Sequence, residues 1–427
     1  MEFKTEIQER DQVIEFLTKE YAKATGKQVA LPYKWERFVE KSELEDTQEP
    51  EEELSFTEAV KQLKLPKPNT GRRGTRKPKK VTNIQKIILC DFRNSLVPED
   101  VFSSLVEGVK LVPSVETVAL SNNNLTEKLL PQLEELFLLE NIKCINLSNN
   151  NLRKRFATKL GELLKGSCDH IETLDISRNP FSSERTACIS IANGVRKHPS
   201  LKHFSITLGT NTCTSVLKAV SSNRNIQTLE LPHSKLTEEA LKYLTSALTS
   251  TKAPHNLETL KLSHCFLQPK EVIMLAQTVA KNKFLKKLDL SYNGITDNIG
   301  KIFMNNLKWN RCLEQLNLKM NNLEDATCFE LAKVLRANKT LKECNLGGNF
   351  FSDRGAEQLE LELRNREVYS LGELDLNTNL SITSKQKLKG TTKVFKNSFS
   401  VLKPLEETNP FGCFEVLPWN LNHFIEM

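Results

Sequence analysis

The sequence predicts an α/β solenoid: a curved stack of strand–helix units, horseshoe-like, with a parallel sheet on its inner side, helices outside, and a helical N-terminal head. Three observations carry the prediction. Between Leu285 and Asn349 the segments LKKLDLSYNGI, LEQLNLKMNNL and LKECNLGGNFF return at an unbroken spacing of 28 residues. Each has apolar residues at positions 1, 4, 6 and 11 and Asn at position 9. Between such segments lie stretches of helical period, such as TEEALKYLTSAL at 237–248, where Ala240, Leu241, Leu244 and Leu248 share a face.

Alternating inward residues make a short strand, and an Asn side chain can bond backbone groups where the chain leaves it. One strand and one helix cannot bury their apolar faces alone, so neighbouring units must stack and share a core. This pattern resembles the leucine-rich repeat, and its 28-residue form with a helix in the second half is similar to the ribonuclease-inhibitor class.

From the N-terminus, residues 1–65 lack the repeat and read as a helical head with an acidic segment. Ile7, Ile14, Leu17 and Tyr21 recur at helical spacing, predicting an amphipathic helix over about residues 5–24. Pro32, Tyr33, Trp35, Phe38 and Val39 form an aromatic cluster, with Trp35 a candidate partner contact. From Glu43 to Glu53 seven residues are acidic, and Ser55 with Glu58 offers a capping box for a second short helix. Residues 66–83 read as a basic Pro/Gly linker. PKPNTGRRGTRKPKK there holds seven Lys or Arg, among them Arg72, Arg73, Arg76, Lys77, Lys79 and Lys80, and is expected to be disordered in isolation. It reads as a solvated tether, a nuclear-import or nucleic-acid segment, or a dock for an acidic polymer such as the tubulin surface. No base-reading module accompanies it, so nucleic acid is not expected as the partner.

Residues 84–397 read as about eleven units, starting at Ile84, Val115, Ile142, Ile171, Leu201, Ile226, Leu257, Leu285, Leu313, Leu341 and Leu371. Phe92, Gly209, Ser234 and Cys265 replace the ninth-position Asn in four of them. The 25-residue unit from Leu201 is expected to have the shortest helix, and residues 201–270 to be least regular, with a change of curvature. Positions 3, 5 and 7 should line the inner face, and in this register none is aromatic or Arg, the types that dominate interface hot spots. After Asn379 the repeat fades into a basic helix with Lys385, Lys387, Lys389, Lys393 and Lys396. Residues 398–427 are either a cap for the last apolar face or a docking tail, with Phe411, Phe414 and Trp419 as candidate contacts.

Composition narrows the function classes. Charged residues are 26% and hydrophobic residues 39% of the 427-residue chain, and no apolar run approaches the roughly 20 residues of a membrane helix. The charged start MEFKTEIQERDQ predicts no secretion, and ten cysteines without a CxxC pair predict buried, reduced thiols. The expected location is cytoplasmic, with cytoskeleton, cilium or nucleus as further addresses. A net charge of +7 is mild for this length. Neither a phosphate-binding glycine loop nor HExxH, GxSxG or a calcium loop is present, so no cofactor and no enzymatic activity are expected. His233 and His264 share position 8 of adjacent units and could sit one strand apart, though a metal site needs three or four ligands.

An array with added head and tail resembles leucine-rich scaffold subunits of the ciliary axoneme, such as the T-complex-associated member of the dynein regulatory complex. That resemblance implies a non-enzymatic protein-interaction scaffold working among other proteins in a large complex. The inner face departs from ribonuclease inhibitor, which binds through a concave face rich in aromatic and Arg anchors. The alternative is the Ran GTPase-activating protein, which also has eleven repeats and uses an arginine in an early loop. CDFRNSLVPED would put Arg93 in such a place, where an arginine can stabilise charge on a transferring phosphoryl group.

Overall fold

The computed structural model describes residues 89–91, 93, 94, 99–110, 113–250, 255–364, 371 and 373–376. The predicted head, the basic linker, the basic last helix and the C-terminal tail lie outside these residues.

Eleven parallel strands form one sheet in strict chain order. They are β1 (Leu89–Asp91), β2 (Thr117–Ala119), β3 (Cys144–Asn146), β4 (Thr173–Asp175), β5 (His203–Ser205), β6 (Thr228–Glu230), β7 (Thr259–Lys261), β8 (Lys287–Asp289), β9 (Gln315–Asn317), β10 (Glu343–Asn345) and β11 (Glu373–Asp375). Each connection carries an α-helix: α1 (Glu99–Lys110), α2 (Leu130–Phe137), α3 (Lys154–Leu163), α4 (Arg185–Val195), α5 (Cys213–Ser222), α6 (Glu238–Thr249), α7 (Pro269–Lys281), α8 (Asp297–Leu307), α9 (Asp325–Ala337) and α10 (Asp353–Arg364). The architecture is the α/β leucine-rich-repeat solenoid that the period predicted. Apolar residues at positions 1, 4 and 6 are buried in unit after unit, as with Leu285, Leu288 and Leu290, and join one core running from Phe102 to Leu374. The helix expected at 237–248 is α6, whose N-cap Thr237 accepts from the Ala240 N–H.

Two sequence expectations need correction. Leu89 pairs with Thr117, the third residue of its unit, so the first unit starts at residue 87 and not at Ile84. The first interval then becomes 28 residues instead of 31. Counted from there, Arg93 is the seventh residue of the unit, which places one arginine on the inner-face register after all. The register of the other ten units is as expected. Also, α5 in the unit from Leu201 spans 10 residues, the same as α3, and the shortest α-helix among the described residues is the 8-residue α2. The sheet pairs without a break through residues 201–270.

Two ladders of buried side chains fasten neighbouring units, the second of them from the unit of Leu201 onward. On one edge the ninth-position amide works in both directions. Asn321 Oδ1 accepts from the backbone N–H of Asn293 and Ile295 in the preceding unit at 3.1 and 3.0 Å, while its Nδ2 donates to Leu290 O and Leu318 O. Where the amide is missing, other groups take over part of the work. Ser234 Oγ accepts from Leu208 N–H at 2.9 Å, and Cys265 Sγ donates to Leu231 O at 3.0 Å. Gly209 has no side chain, and the buried Thr212 hydroxyl replaces it, donating to Ser182 O at 2.8 Å and accepting from Gly209 N–H at 2.9 Å.

The opposite edge carries a ladder that the sequence reading did not anticipate. His198, Asn223, Asn282, Asn310 and Asn338 stand three residues before the first position of their units, and His255 stands two before. Asn282 Nδ2 donates to Leu248 O at 2.7 Å and its Oδ1 accepts from Leu285 N–H at 2.6 Å. The histidines copy this. Nδ1 of His255 accepts from Leu257 N–H at 3.2 Å, which leaves the proton on Nε2, 3.0 Å from Val220 O. His198 does the same between Leu201 N–H and Cys168 O.

Position 2 adds a third row, at the surface. Reading along the sheet it is Glu116, Lys143, Glu172, Lys202, Gln227, Glu258, Lys286, Glu314, Lys342. Lys202 meets Glu172 at 2.7 Å, Lys286 meets Glu258 at 2.9 Å and Lys342 meets Glu314 at 2.6 Å.

Candidate interaction surface

The inner floor is small and polar. Thr173, Thr228 and Thr259 at position 3 are buried by their neighbours, and at position 5 Lys261 and Glu230 pair at 2.7 Å. Burial pushes the Asp175 and Asp289 carboxyls up, against the pull of the hydrogen bonds they accept from Ser177 and Ser291 N–H. In the described units from β2 onward this floor presents no Phe, Tyr or Trp ring and no guanidinium at positions 3, 5 and 7, and the one ring there is the His203 imidazole.

The rim at position 8 is different. There the backbone turns out of nine of the strands through the left-handed region, at Asn94, Asn122, Asn149, Arg178, His233, His264, Tyr292, Met320 and Gly348, while in the unit from Leu201 the buried Leu208 holds this position without such a turn. From Asn94 to Met320 the N–H of each such residue still reaches the next unit: His233 N–H donates to Ser263 O, His264 to Ser291 O and Tyr292 to Lys319 O, all at 3.0–3.1 Å. The side chains are therefore held one strand apart in a ridge. The ridge begins as an amide ladder, with Asn122 bonded to Asn94 and Asn149 Nδ2 donating to Asn122 Oδ1 at 2.9 Å. Past the middle it becomes aromatic. The His233 and His264 rings stack with centroids 4.4 Å apart, His264 and Tyr292 stack at 4.1 Å, and both pairs lie 14° from parallel. Tyr292 is 37% and Met320 43% exposed, and a side chain at Gly348 would collide with Met320 Sδ. On neighbouring turns Phe266 and Phe350, two residues further along their units at position 10, are exposed as well.

The electrostatics make this ridge nearly neutral. Burial, then the charge of Arg178, then His264 push the His233 imidazole down to about 4. Burial and Arg178 also lower His264. Both rings are uncharged at neutral pH, and Arg178 is the cation beside them. His233 and His264 are one strand apart, as expected from their shared position, but they are half-buried and spend their faces on each other. No group of three or more His, Cys, Asp or Glu that could hold a metal occurs among the described residues.

The other rim carries a groove of about 550 Å³ beside β7–β10. Its walls hold Lys283, Lys286, Arg311, Lys339 and Lys342 against two carboxylates, Glu258 and Glu314, with Phe284 between them. Eight described cysteines are free, and burial raises Cys168, Cys265 and Cys344 to about 12, which keeps these thiols protonated and inert.

Of the residues singled out from sequence, Arg93 lies half-buried in the turn after β1. Arg72, Arg73, Arg76, Lys77, Lys79, Lys80, Trp35, Phe411, Phe414 and Trp419 lie outside the described residues. The stacked rim was missed because only the alternating positions of each strand were read as surface. Its signal was present in the sequence, since His233, His264 and Tyr292 share position 8.

A family model described as "Leucine Rich repeat" matches residues 281–301, the end of α7 through β8 into α8. No curated protein matches the chain. Among solved structures it is similar to "Leiomodin-1 Actin-Binding Site 2 (ABS2)", at 22% identity and a TM-score of 0.21, over 24% of this chain and 59% of that one. No helix among the described residues is long and apolar enough to cross a membrane.

Proposed function

We propose that this leucine-rich-repeat chain is a non-enzymatic protein-interaction scaffold that grips a partner along the position-8 rim. One observation carries the reading. His233, His264 and Tyr292 form a continuous stack, continued by exposed Met320 and within electrostatic reach of Arg178. Tyr and Arg are enriched among hot spots, Tyr because it buries a large rigid area at low entropic cost, and a ridge locked at strand spacing is already organised for contact. The finer assignment is a structural or regulatory component of a cytoskeletal assembly, axonemal and similar to the dynein regulatory complex. It is supported by the repeat array with added head and tail and by the basic linker, which suits an acidic polymer such as tubulin.

Copurification from the native source identifies the partner, and Tyr292→Gly tests the rim. Position 8 already accepts Gly at Gly348, with φ of 67°, so relief of left-handed strain offsets the entropy of the new glycine. Loss of the stack on His264 should lower stability by about 1–3 kcal/mol without unfolding the array, and the folded variant should bind the copurified partner about 30-fold more weakly. Unchanged affinity removes the rim from the interface. Microtubule pelleting that weakens with salt supports the linker contact, and salt-insensitive or absent pelleting counts against it. The alternative, a GTPase-activating protein, rests on Arg93 at the edge of the inner face. No stimulation of GTP hydrolysis by the unmodified chain, or no loss on Arg93→Ala, eliminates it.

A further inference from the structure

The groove on the rim opposite the aromatic stack has a charge pattern that the scaffold reading does not use. Lys283, Arg311 and Lys339 stand two residues before the first position of three consecutive units, so they form a row at the strand separation of about 4.8 Å. All three are exposed. The adjacent position-2 row neutralises itself through Lys286–Glu258 and Lys342–Glu314. The outer row contains no carboxylate. Arg311 Nη1 donates to Lys308 O and Asn310 O at the end of α8, which fixes its guanidinium at the groove. At the corresponding position earlier units carry Glu140 and Asp169 and, nearer the middle, Arg224, so the cations lie in the second half of this rim and the three consecutive ones at its end. Phe284 lies in the groove 42% exposed, and nearby Trp309 is 67% exposed with the Lys308 ammonium 6.0 Å from its ring centroid.

Like charges about 5 Å apart repel within the Debye length of about 8 Å, and a chain of carboxylates relieves that repulsion. We propose that this groove docks an extended acidic peptide segment of a partner protein. Same-face side chains of an extended peptide recur about every 6.7 Å, within reach of flexible Lys stems spaced at about 4.8 Å. Phe284 offers one apolar residue of that peptide a surface. A nucleic-acid backbone suits the groove less well. It carries a charge at every link and would press some of them onto Glu258 and Glu314, where a peptide can place neutral residues.

The test measures fluorescence anisotropy of a labelled dodecapeptide of alternating Glu and Ser with one central Phe, titrated with the full chain. A Gln-for-Glu peptide and a dT dodecamer serve as comparison probes. The K283E/K339E variant should bind the acidic peptide at least tenfold more weakly. A K235E/K301E variant, with the same change of charge at exposed lysines elsewhere, should change binding less than twofold. Equal losses in the two variants overturn the proposal, and so does binding of the Gln peptide as tightly as the Glu peptide. Tighter binding of the dT dodecamer, lost in K283E/K339E, assigns the groove to nucleic acid instead. If the acidic peptide binds only after the seven acidic residues from Glu43 to Glu53 are changed to amides, the groove belongs to that segment of this chain and the partner assignment falls.

Discussion

Replacing Asn321 by Ala removes a side chain that is 2% exposed and serves two units at once. Not all of its bonds matter equally. Leu290 O keeps a donor in Asn293 Nδ2 at 3.0 Å, and Leu318 O keeps one in Asn349 Nδ2 at 3.1 Å. The N–H groups of Asn293 and Ile295 lose the acceptor that holds both of them. Each buried orphan donor costs about 1–3 kcal/mol, so the pair costs about 4 kcal/mol. In hydrogen exchange, segments spanning residues 293–295 should lose protection by about a factor of 1,000, while the early units from β2 to β4 change little, because interface terms in a solenoid act between neighbours. A loss under tenfold refutes the reasoning. It would mean that the Asn293 turn escapes as the Ser234 turn already does, where the N–H facing Cys265 bonds Leu231 O within its own unit at 3.3 Å.

Two further outcomes test the other fasteners. Thr212→Val keeps the volume and deletes the hydroxyl that stands in for a side chain at Gly209; Gly209 N–H and Ser182 O still bond each other, so the chain should lose about 1 kcal/mol in urea unfolding, and Thr212→Ser should recover most of it. Burial lowers His198 and His255 below their ordinary value of 6.5, outweighing the Cys168, Val220 and Asn223 carbonyls and Asp169 near His198, while His170 adds to the lowering at His198 and Arg224 at His255. The unfolded chain therefore binds more protons below that value. Stability should be full above about pH 6.5 and fall as the pH drops below it, and His255→Asn, which copies Asn282, should flatten that fall. A slope unchanged by this substitution places the titration elsewhere.

The repeat was legible because a buried strand needs apolar residues at fixed intervals, and Leu285, Leu313 and Leu341 meet that need without ambiguity. The first unit was misread because IQKIILC offers apolar residues at 84, 87 and 88, and only pairing with β2 decides among them. The edge ladder was hidden by its mixed chemistry. Asn282 and His255 look unrelated in sequence but present the same donor and acceptor to the backbone. Thr212 was invisible for another reason: the role vacated at Gly209 moved three residues along the chain. The aromatic rim escaped because position 8 follows the strand through a left-handed turn, where the alternation of inward and outward residues no longer applies.

The alternating row at position 2 has a consequence for how such a chain avoids mistakes. Near-identical units can stack on the wrong neighbour, since Leu meets Leu whichever unit is chosen. A correct stack sets Glu beside Lys. Skipping one unit sets Glu258 beside Glu314, or Lys286 beside Lys342, and does the same between Glu116 and Glu172 or Lys143 and Lys202. Each exposed pair is worth only about 0–1 kcal/mol. Their value lies in alternation: on either side of Gln227 the charges distinguish each unit from the next, giving two runs of look-alike modules a way to tell a neighbour from a skipped one.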